Sequence, residues 1–375
     1  MYFKIEILST EQEFEKLSDE WQLLAEETDS IFLTFEWQLL WWKTYHKQLE
    51  QAELAIITVR EKESDKLLAI LPLFSSLKKF DYGPKFKTLQ LIGTEIESSD
   101  YLDLIAPANR KQILLKKVFS DPQVLKFLEK VDVLLLDNLA DGAALLEERQ
   151  ELANILNSAY YHYVTKVCPY LSLPETTDAF WKKLSKNFKS NLKRGRNKLK
   201  RAGFTVEVVK SIDLVDAAIE NLFKLHDQRF QAKQAHSKFD FKRRGKFHQL
   251  VARNFLKKNW LQLYQIFDGQ KTIGSLYCFK FNGSMMYVQG GFDPEYSQYG
   301  LGNQIILKAI EDAIELKFKK FDFMRGSEPY KFKWTSVKLF LHRVILPNSF
   351  RAKLFFALHD SIFNLKRFIK RFVKR

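Results

Sequence analysis

Apolar positions at Phe3, Ile5 and Ile7 alternate with polar ones, the period of a half-buried strand. Phe14, Leu17, Trp21 and Leu24 then recur at three- and four-residue spacing and predict a helix. Residues 34–46 form a dense aromatic stretch that predicts a second helix, with Trp37, Trp41 and Trp42 as core side chains rather than ligand stackers. The apolar runs 55–59 and 67–74 predict strands across the charged turn 61–66. Turn residues around Pro169 and 172–177 place a domain boundary near residue 173. Beyond it, a helix capped by Thr177 or Asp178 carries a basic run to Gly203, a strand covers 204–209, and helices cover 214–231 and 243–257.

From residue 261 the period changes to two. Segments 261–267, 272–281 and 284–292 predict an antiparallel meander, joined at Asp268-Gly269 and Asn282-Gly283, dipeptides that favour tight hairpin turns. A glycine-containing loop, a helix over 302–316, a strand over 318–324 and a polar aromatic loop to Trp334 follow. Strands and helices alternate in both halves, which makes the fold class α/β (α+β).

A chain of 375 residues exceeds the reach of one hydrophobic core, so two domains are expected. With 46% apolar and 14% aromatic residues, the composition argues against disorder over most of the length. The division expected is 1–172, 173–347 and a basic amphipathic tail, 348–375. Cys168 and Cys278 lack CxxC partners, and none of the seven histidines has metal-site spacing, so no disulfide framework and no metal are expected. The first residues lack the pattern of a signal peptide, and no run approaches the roughly 18 apolar residues of a spanning helix. A cytoplasmic protein is expected, with any membrane contact peripheral, on the inner face of the cell membrane.

The net charge of +15 is concentrated in two places. Residues 182–201 hold ten Lys or Arg and no acid, and residues 348–375 hold eight against Asp360 alone, which leaves the remainder near neutral. The first run is either a solvated helix face or a site for a polyanion. It has one interleaved aromatic, Phe188, which argues against nucleic acid. In the tail, Phe350, Leu354, Phe355, Leu358, Ile362, Leu365, Ile369 and Phe372 recur at helical spacing beside Lys and Arg. That is the composition of an interfacial helix on an anionic membrane, or of a stripe packed on its own protein.

A strand, a loop with Gly300 and Gly302, and an amphipathic helix form an arrangement whose backbone N–H groups can cradle a phosphate. The segment 291–334 carries Asp293-Pro294, Gly300, Gly302, Asp322, Tyr330-Lys331 and Trp334 in one order. On these residues, with the basic segment 185–203 and residues 225–230, the sequence resembles the cellulose-biosynthesis (CelD-like, BcsL-like) acetyltransferases. These belong to the GNAT superfamily and are distant relatives of the FemABX aminoacyltransferases. Residues 71–74 and 98–105 resemble the N-terminal lobe of that family.

The resemblance implies tandem GNAT-like lobes, each a mixed central sheet flanked by helices and the first degenerate, and transfer of an acyl group from acetyl-CoA or another acyl-CoA. The acceptor would be an amine or hydroxyl on a cell-envelope or exopolysaccharide-related molecule. Gly300, Leu301, Gly302 and the N–H of Asn303 would contact the donor's phosphates, with Gln298 one place late and Ser297 where the general GNAT loop carries Arg or Gln. Gly290 and Gly291 would let their strand bulge toward the thioester arm. Tyr330 would protonate the leaving thiolate, with Lys331 as its charged neighbour; Asp322, Glu328 and Asp293 are the carboxylates able to take a proton. Each has a bland reading: an interfacial tyrosine, a turn-capping Asp293, and an Arg229 paired with Asp227 or Glu220. The rival readings are an aminoacyl-tRNA-dependent transferase and a non-catalytic, membrane-associated binding protein.

Overall fold

The computed structural model describes residues 2–80, 83–97, 99–231 and 241–358. Two compact units divide the chain: residues 1–165 with 340–375, and residues 166–339.

The first unit opens with strand β1 (Phe3–Leu8) and helices α1 (Glu11–Lys16), α2 (Ser18–Ala25) and α3 (Phe35–Tyr45). Strands β2 (Glu53–Leu54), β3 (Ile56–Glu61), β4 (Leu67–Leu71), β5 (Leu73–Lys79) and β6 (Lys85–Leu91) follow, then α4 (Lys111–Ser120), α5 (Pro122–Leu128) and β7 (Val133–Ala140). Helices α6 (Ala144–Glu147) and α7 (Arg149–Ile155) lead to β8 (Tyr161–Ser172), which enters the second unit. The single strand expected over 67–74 is two strands. Pro72, which has no N–H to give a ladder, separates β4, in the antiparallel sheet β1-β3-β4, from β5, which pairs with β2 and β6. Similarly, the expected helix through Phe14 and Leu24 is divided at Leu17 into α1 and α2.

Trp21, Trp37 and Trp41 are fully or almost fully buried, and each indole N–H has a partner: Leu33 O at 2.8 Å, Ser99 Oγ at 2.7 Å and Ile96 O at 2.6 Å. A buried indole keeps its stabilising area only if that donor is satisfied, so these are core residues, as their pattern indicated.

The second unit holds α8 (Thr177–Lys183), α9 (Lys186–Arg201), β9 (Thr205–Val208), α10 (Ile212–Gln231) and α11 (Phe241–Lys257). The meander β10 (Leu261–Phe267), β11 (Thr272–Phe281) and β12 (Ser284–Phe292) follows, then α12 (Leu301–Glu315) and β13 (Lys320–Asp322). Within the unit the strand order is β8-β13-β12-β11-β10-β9, antiparallel except for the parallel pair β12–β13. Asn282 and Gly283 both have positive φ, 40° and 72°, as the two-residue turn requires. The other hairpin is wider: the Asp268 carboxylate accepts the N–H groups of Gln270 and Lys271, both at 2.9 Å.

The basic run is carried by two helices rather than one. Leu184 is extended, and the Ser185 hydroxyl accepts the Phe188 N–H at 3.4 Å to start α9. Leu192 and Leu199 turn inward to a core that also contains Phe180, Tyr264, Ile266, Met285, Ile306, Ile310 and Phe321. Each such aliphatic side chain contributes roughly 1.5–3 kcal/mol by leaving water. Gln304 Nε2 donates to Leu192 O at 3.1 Å, and Arg196 forms a two-point pair with Glu311 at 2.8 and 2.7 Å, so α9 is tied to α12.

Strand β14 (Lys338–Pro347) returns the chain to the first unit, where Leu341–Pro347 pair antiparallel with β7. A helical turn then starts at Phe350. Ala352 and Phe356 are buried, and Phe355 partly so, against Phe86, Val133, Leu135 and Ile345, whereas Phe350, Leu354 and Leu358 are exposed. The rest of the expected tail helix, including Ile362, Leu365, Ile369 and Phe372, lies outside the described residues. The division expected from sequence, at 172/173 and 347/348, differs from these units because β8 and β14 each run through a boundary.

Both units repeat one order of elements: antiparallel strands, then helix, then a strand parallel to the last of them. This is β5-β6-α4-α5-β7 in the first and β11-β12-α12-β13 in the second. The mixed sheets and flanking helices are those of tandem GNAT-like lobes.

Candidate active site

Strand β12 is where the second sheet opens. It pairs with β13 only from Ser284 to Met286, and its register with β11 then shifts, Cys278 facing Tyr287 and Tyr277 facing Gln289. Val288 is therefore an extra residue, a bulge that turns the strand. From Tyr287 onward the β13-side edge of β12 has no strand partner among the described residues. The bulge precedes Gly290 and Gly291 instead of falling on them. Gly291 serves a different purpose, since a Cβ there would lie 2.5 Å from the His226 backbone nitrogen. Only glycine lets α10 approach β12 this closely.

A pocket of about 230 Å³ occupies this opening. Gly300, Leu301, Gly302 and Asn303 form one wall, where α12 begins. Gly300 is left-handed, φ 65°, and the helix has no side-chain cap. The N–H groups of Asn303 and Gln304 both point back to Gly300 O, at 3.1 and 3.3 Å. Asn303 thus spends its N–H within the turn; the amides of Leu301 and Gly302 have no partner among the described residues. An uncapped helix start of this kind favours an anion.

Facing it, the Tyr330 hydroxyl donates to the Tyr287 hydroxyl at 3.3 Å. Burial lifts both phenols above their ordinary value, Tyr330 far above it, and each is additionally raised by the Glu328 charge and eased by Arg229. Both therefore stay protonated at neutral pH. Arg229 enters from α10, its guanidinium carbon 4.9 Å from the centre of the Phe292 ring. Ser297 and Ser275 also line the pocket.

Of the residues expected from sequence, Tyr330, Gly290, Gly291, Gly300, Leu301, Gly302 and Asn303 line this one cavity. The others do not. Gln298 lies beside it, its backbone carbonyl accepting from Lys198 Nζ at 3.3 Å. Asp322 is wholly buried; its carboxylate accepts the Met324 N–H at 2.8 Å and shapes the turn in which Met324 has φ 55°. Lys331 is also buried, donating to Met324 O at 3.2 Å and Arg325 O at 2.8 Å and pairing with Glu328 at 3.0 Å. Asp293 caps the turn Pro294–Tyr299 by accepting the Glu295 N–H at 3.1 Å, and pairs with Lys271 at 2.9 Å. Glu328 is half-exposed, and it is the carboxylate of this set whose charge acts on both phenols.

Sequence reasoning missed Tyr287 and gave Arg229 a structural pairing. Tyr287 sits among apolar strand positions and reads as core, in the same cluster as Met285, and no local pattern announces that Tyr330 comes to lie against it. Among the described residues, no group of three or more His, Cys, Asp or Glu is placed to hold a metal ion.

Comparison with known proteins bears on the same residues. Residues 186–332 match the family model described as Acetyltransferase (GNAT) domain. No curated protein matches the sequence. Among solved structures, FemX is similar at a TM-score of 0.59 and 10% identity, over 91% of this chain and 97% of that one. The C-terminal domain of a putative lysylphosphatidylglycerol synthetase from Agrobacterium fabrum gives 0.55 and 11%, over 94% and 97%. L-PGS from Bacillus licheniformis gives 0.54 and 9%, over 94% and 96%. At such identities the likeness is one of fold. With the family match spanning α9 to the turn after Tyr330, the chain carries a GNAT-type acyltransferase domain in its second unit.

Proposed function

We propose that the protein transfers an acyl group from an acyl-CoA thioester, acetyl-CoA first among them, to an amine or hydroxyl of a cell-envelope or exopolysaccharide-related acceptor. The observation that carries this reading is the joining, in one cavity, of an uncapped helix start, a free strand edge and a pair of protonated phenols. Each answers one requirement of the donor. The Leu301 and Gly302 amides suit a phosphate, and the free edge of β12 suits an extended amide-bearing arm, which would lie along it as an added strand. Tyr330 suits the sulfur end.

In the reaction proposed, the acceptor nitrogen or oxygen attacks the thioester carbonyl carbon and the carbon–sulfur bond breaks. The departing thiolate takes the Tyr330 proton. Tyr287 orients that hydroxyl, and the proton lost by the acceptor returns to Tyr330 through Glu328 or water. The raised pKa keeps the Tyr330 phenol protonated at neutral pH, so a proton is in place when the thiolate departs, and makes the phenolate left behind basic enough to recover a proton from the acceptor.

The resemblance to CelD-like acetyltransferases supports a saccharide-related acceptor, and a structural neighbour named for lysylphosphatidylglycerol supports an envelope-related one. An aminoacyl-tRNA donor remains the second reading, favoured by the unbroken basic face of α9. Peripheral attachment to an anionic membrane is part of the proposal too. Phe350, Leu354 and Leu358 are exposed at four-residue spacing, beside Arg351.

Calorimetric titration of acetyl-CoA and dephospho-CoA into wild type and Gly302→Glu tests the donor. A side chain at Gly302 would start 3.3 Å from the Phe292 ring, so a glutamate there brings bulk and negative charge to the helix start. Saturable binding weakened at least tenfold in the variant is expected. Failure of the wild type to bind any acyl-CoA would overturn the donor assignment.

A further inference from the structure

Arg229 is the cation in the pocket, and the groups beside it do not satisfy it. It is half-buried on α10, its guanidinium lying over the Phe292 ring at 4.9 Å, and its charge reaches His226, Tyr287 and Tyr330. Neither acid expected as its partner pairs with it. Asp227 lies 3.9 Å from His226 Nδ1, and no carboxylate among the described residues forms an ion pair with Arg229. The residues lining the pocket include no Asp, Glu or His. A ring face steadies a guanidinium through its π-surface, but it takes none of the five in-plane N–H donors. Half-buried at the pocket wall, Arg229 keeps those donors open to a ligand that enters.

We infer that Arg229 receives an oxyanion of the bound ligand, a phosphate or carboxylate, at a second anion position in the pocket besides the start of α12. The planar fork of arginine matches both groups through two parallel hydrogen bonds. Phe292 gives the position its geometry: its ring meets Gly302 on α12 and carries Arg229 from α10, so one aromatic side chain spaces the two anion positions. The oxyanion comes either from the donor's phosphates or from the acceptor. This inference rests on the same pocket as the acyl transfer proposed above.

The test uses the full-length protein as wild type, Arg229→Gln and Arg229→Lys. Coenzyme A, pantetheine, which has the same arm without phosphates, and inorganic phosphate are titrated calorimetrically, phosphate with and without saturating coenzyme A. If the oxyanion is the donor's, Arg229→Gln weakens coenzyme A at least tenfold and leaves pantetheine unchanged. If it is the acceptor's, both keep their wild-type affinity, and phosphate binding to the coenzyme-A-loaded protein is lost in Arg229→Gln. In either case Arg229→Lys, which keeps the charge but not the planar fork, falls between Arg229→Gln and wild type. Wild-type binding of coenzyme A and phosphate by Arg229→Gln overturns the inference, as does a wild type that binds neither. Equal loss of pantetheine in both variants also overturns it, because the residue's role is then structural. A wild type that binds phosphate through Arg229 but neither coenzyme A nor pantetheine sinks the donor assignment alone.

Discussion

At the scale of single residues, the chemistry is set by burial more than by charge. Tyr330 and Tyr287 share a 3.3 Å hydrogen bond in a cavity whose lining has no carboxylate, and burial keeps both protonated. Replacing Tyr330 by Phe removes the proton donor while keeping the ring. The expected result is a fall in kcat of about 100-fold or more, with coenzyme A affinity unchanged; steady-state kinetics beside calorimetry would check it. His226 titrates in the other sense. Burial first, and Arg229 second, bring its pKa down to about 4, against about 6.5 in the unfolded chain. The native state therefore holds it neutral, and its contribution is fully present above pH 6.5 and lost as pH falls toward 4. By linkage this slope is worth up to about 3 kcal/mol. Urea unfolding of His226→Leu between pH 4 and 7 should show a flatter dependence than wild type; equal slopes would refute the assignment.

Elements explain which parts of this were legible in the amino-acid sequence. The meander β10–β12 could be read because Asn282 and Gly283 name their turn and the flanking residues alternate. The cradle before α12 could be read from Gly300 and Gly302. What could not be read depends on contacts between elements. Arg229 on α10 follows the period of a solvated helix face, and only the closeness of α10 to β12 brings it over Phe292. Asp322, Asp293 and Lys331 fall in the right segment, but their side chains are spent on local backbone groups. The break at Leu184 and the division at Pro72 follow from single residues that a window average dilutes. The approach of α10 to β12 has a direct test. Gly291→Ala should cost about 1–3 kcal/mol or more by forcing the two backbones apart, whereas Gly302→Ala, meeting only the Phe292 ring at 3.3 Å, should cost much less. Thermal unfolding of the two variants compares them.

At the scale of the whole molecule, charge and exposed apolar surface bear on where the enzyme works. The C-terminal segment divides its apolar residues: Ala352 and Phe356 complete the core around Phe86 and Ile345, while Phe350, Leu354 and Leu358 stay in solvent. Changing those three to serine should leave the melting temperature almost unchanged. Sedimentation with phosphatidylglycerol-containing vesicles should fall several-fold, and wild-type binding should weaken with salt. If the triple variant sediments like wild type, the exposed stripe is not the attachment. Among the described residues no helix is long and apolar enough to cross a membrane.

The route of the chain has a temporal meaning as well. Because Leu341–Pro347 supply the neighbour of β7, the unit that a ribosome begins first is finished last, after all of residues 166–339 have emerged. Along the chain, the unit that carries the GNAT-type domain is an insertion in its companion's sequence, able to close its own sheet while the other still waits for a strand.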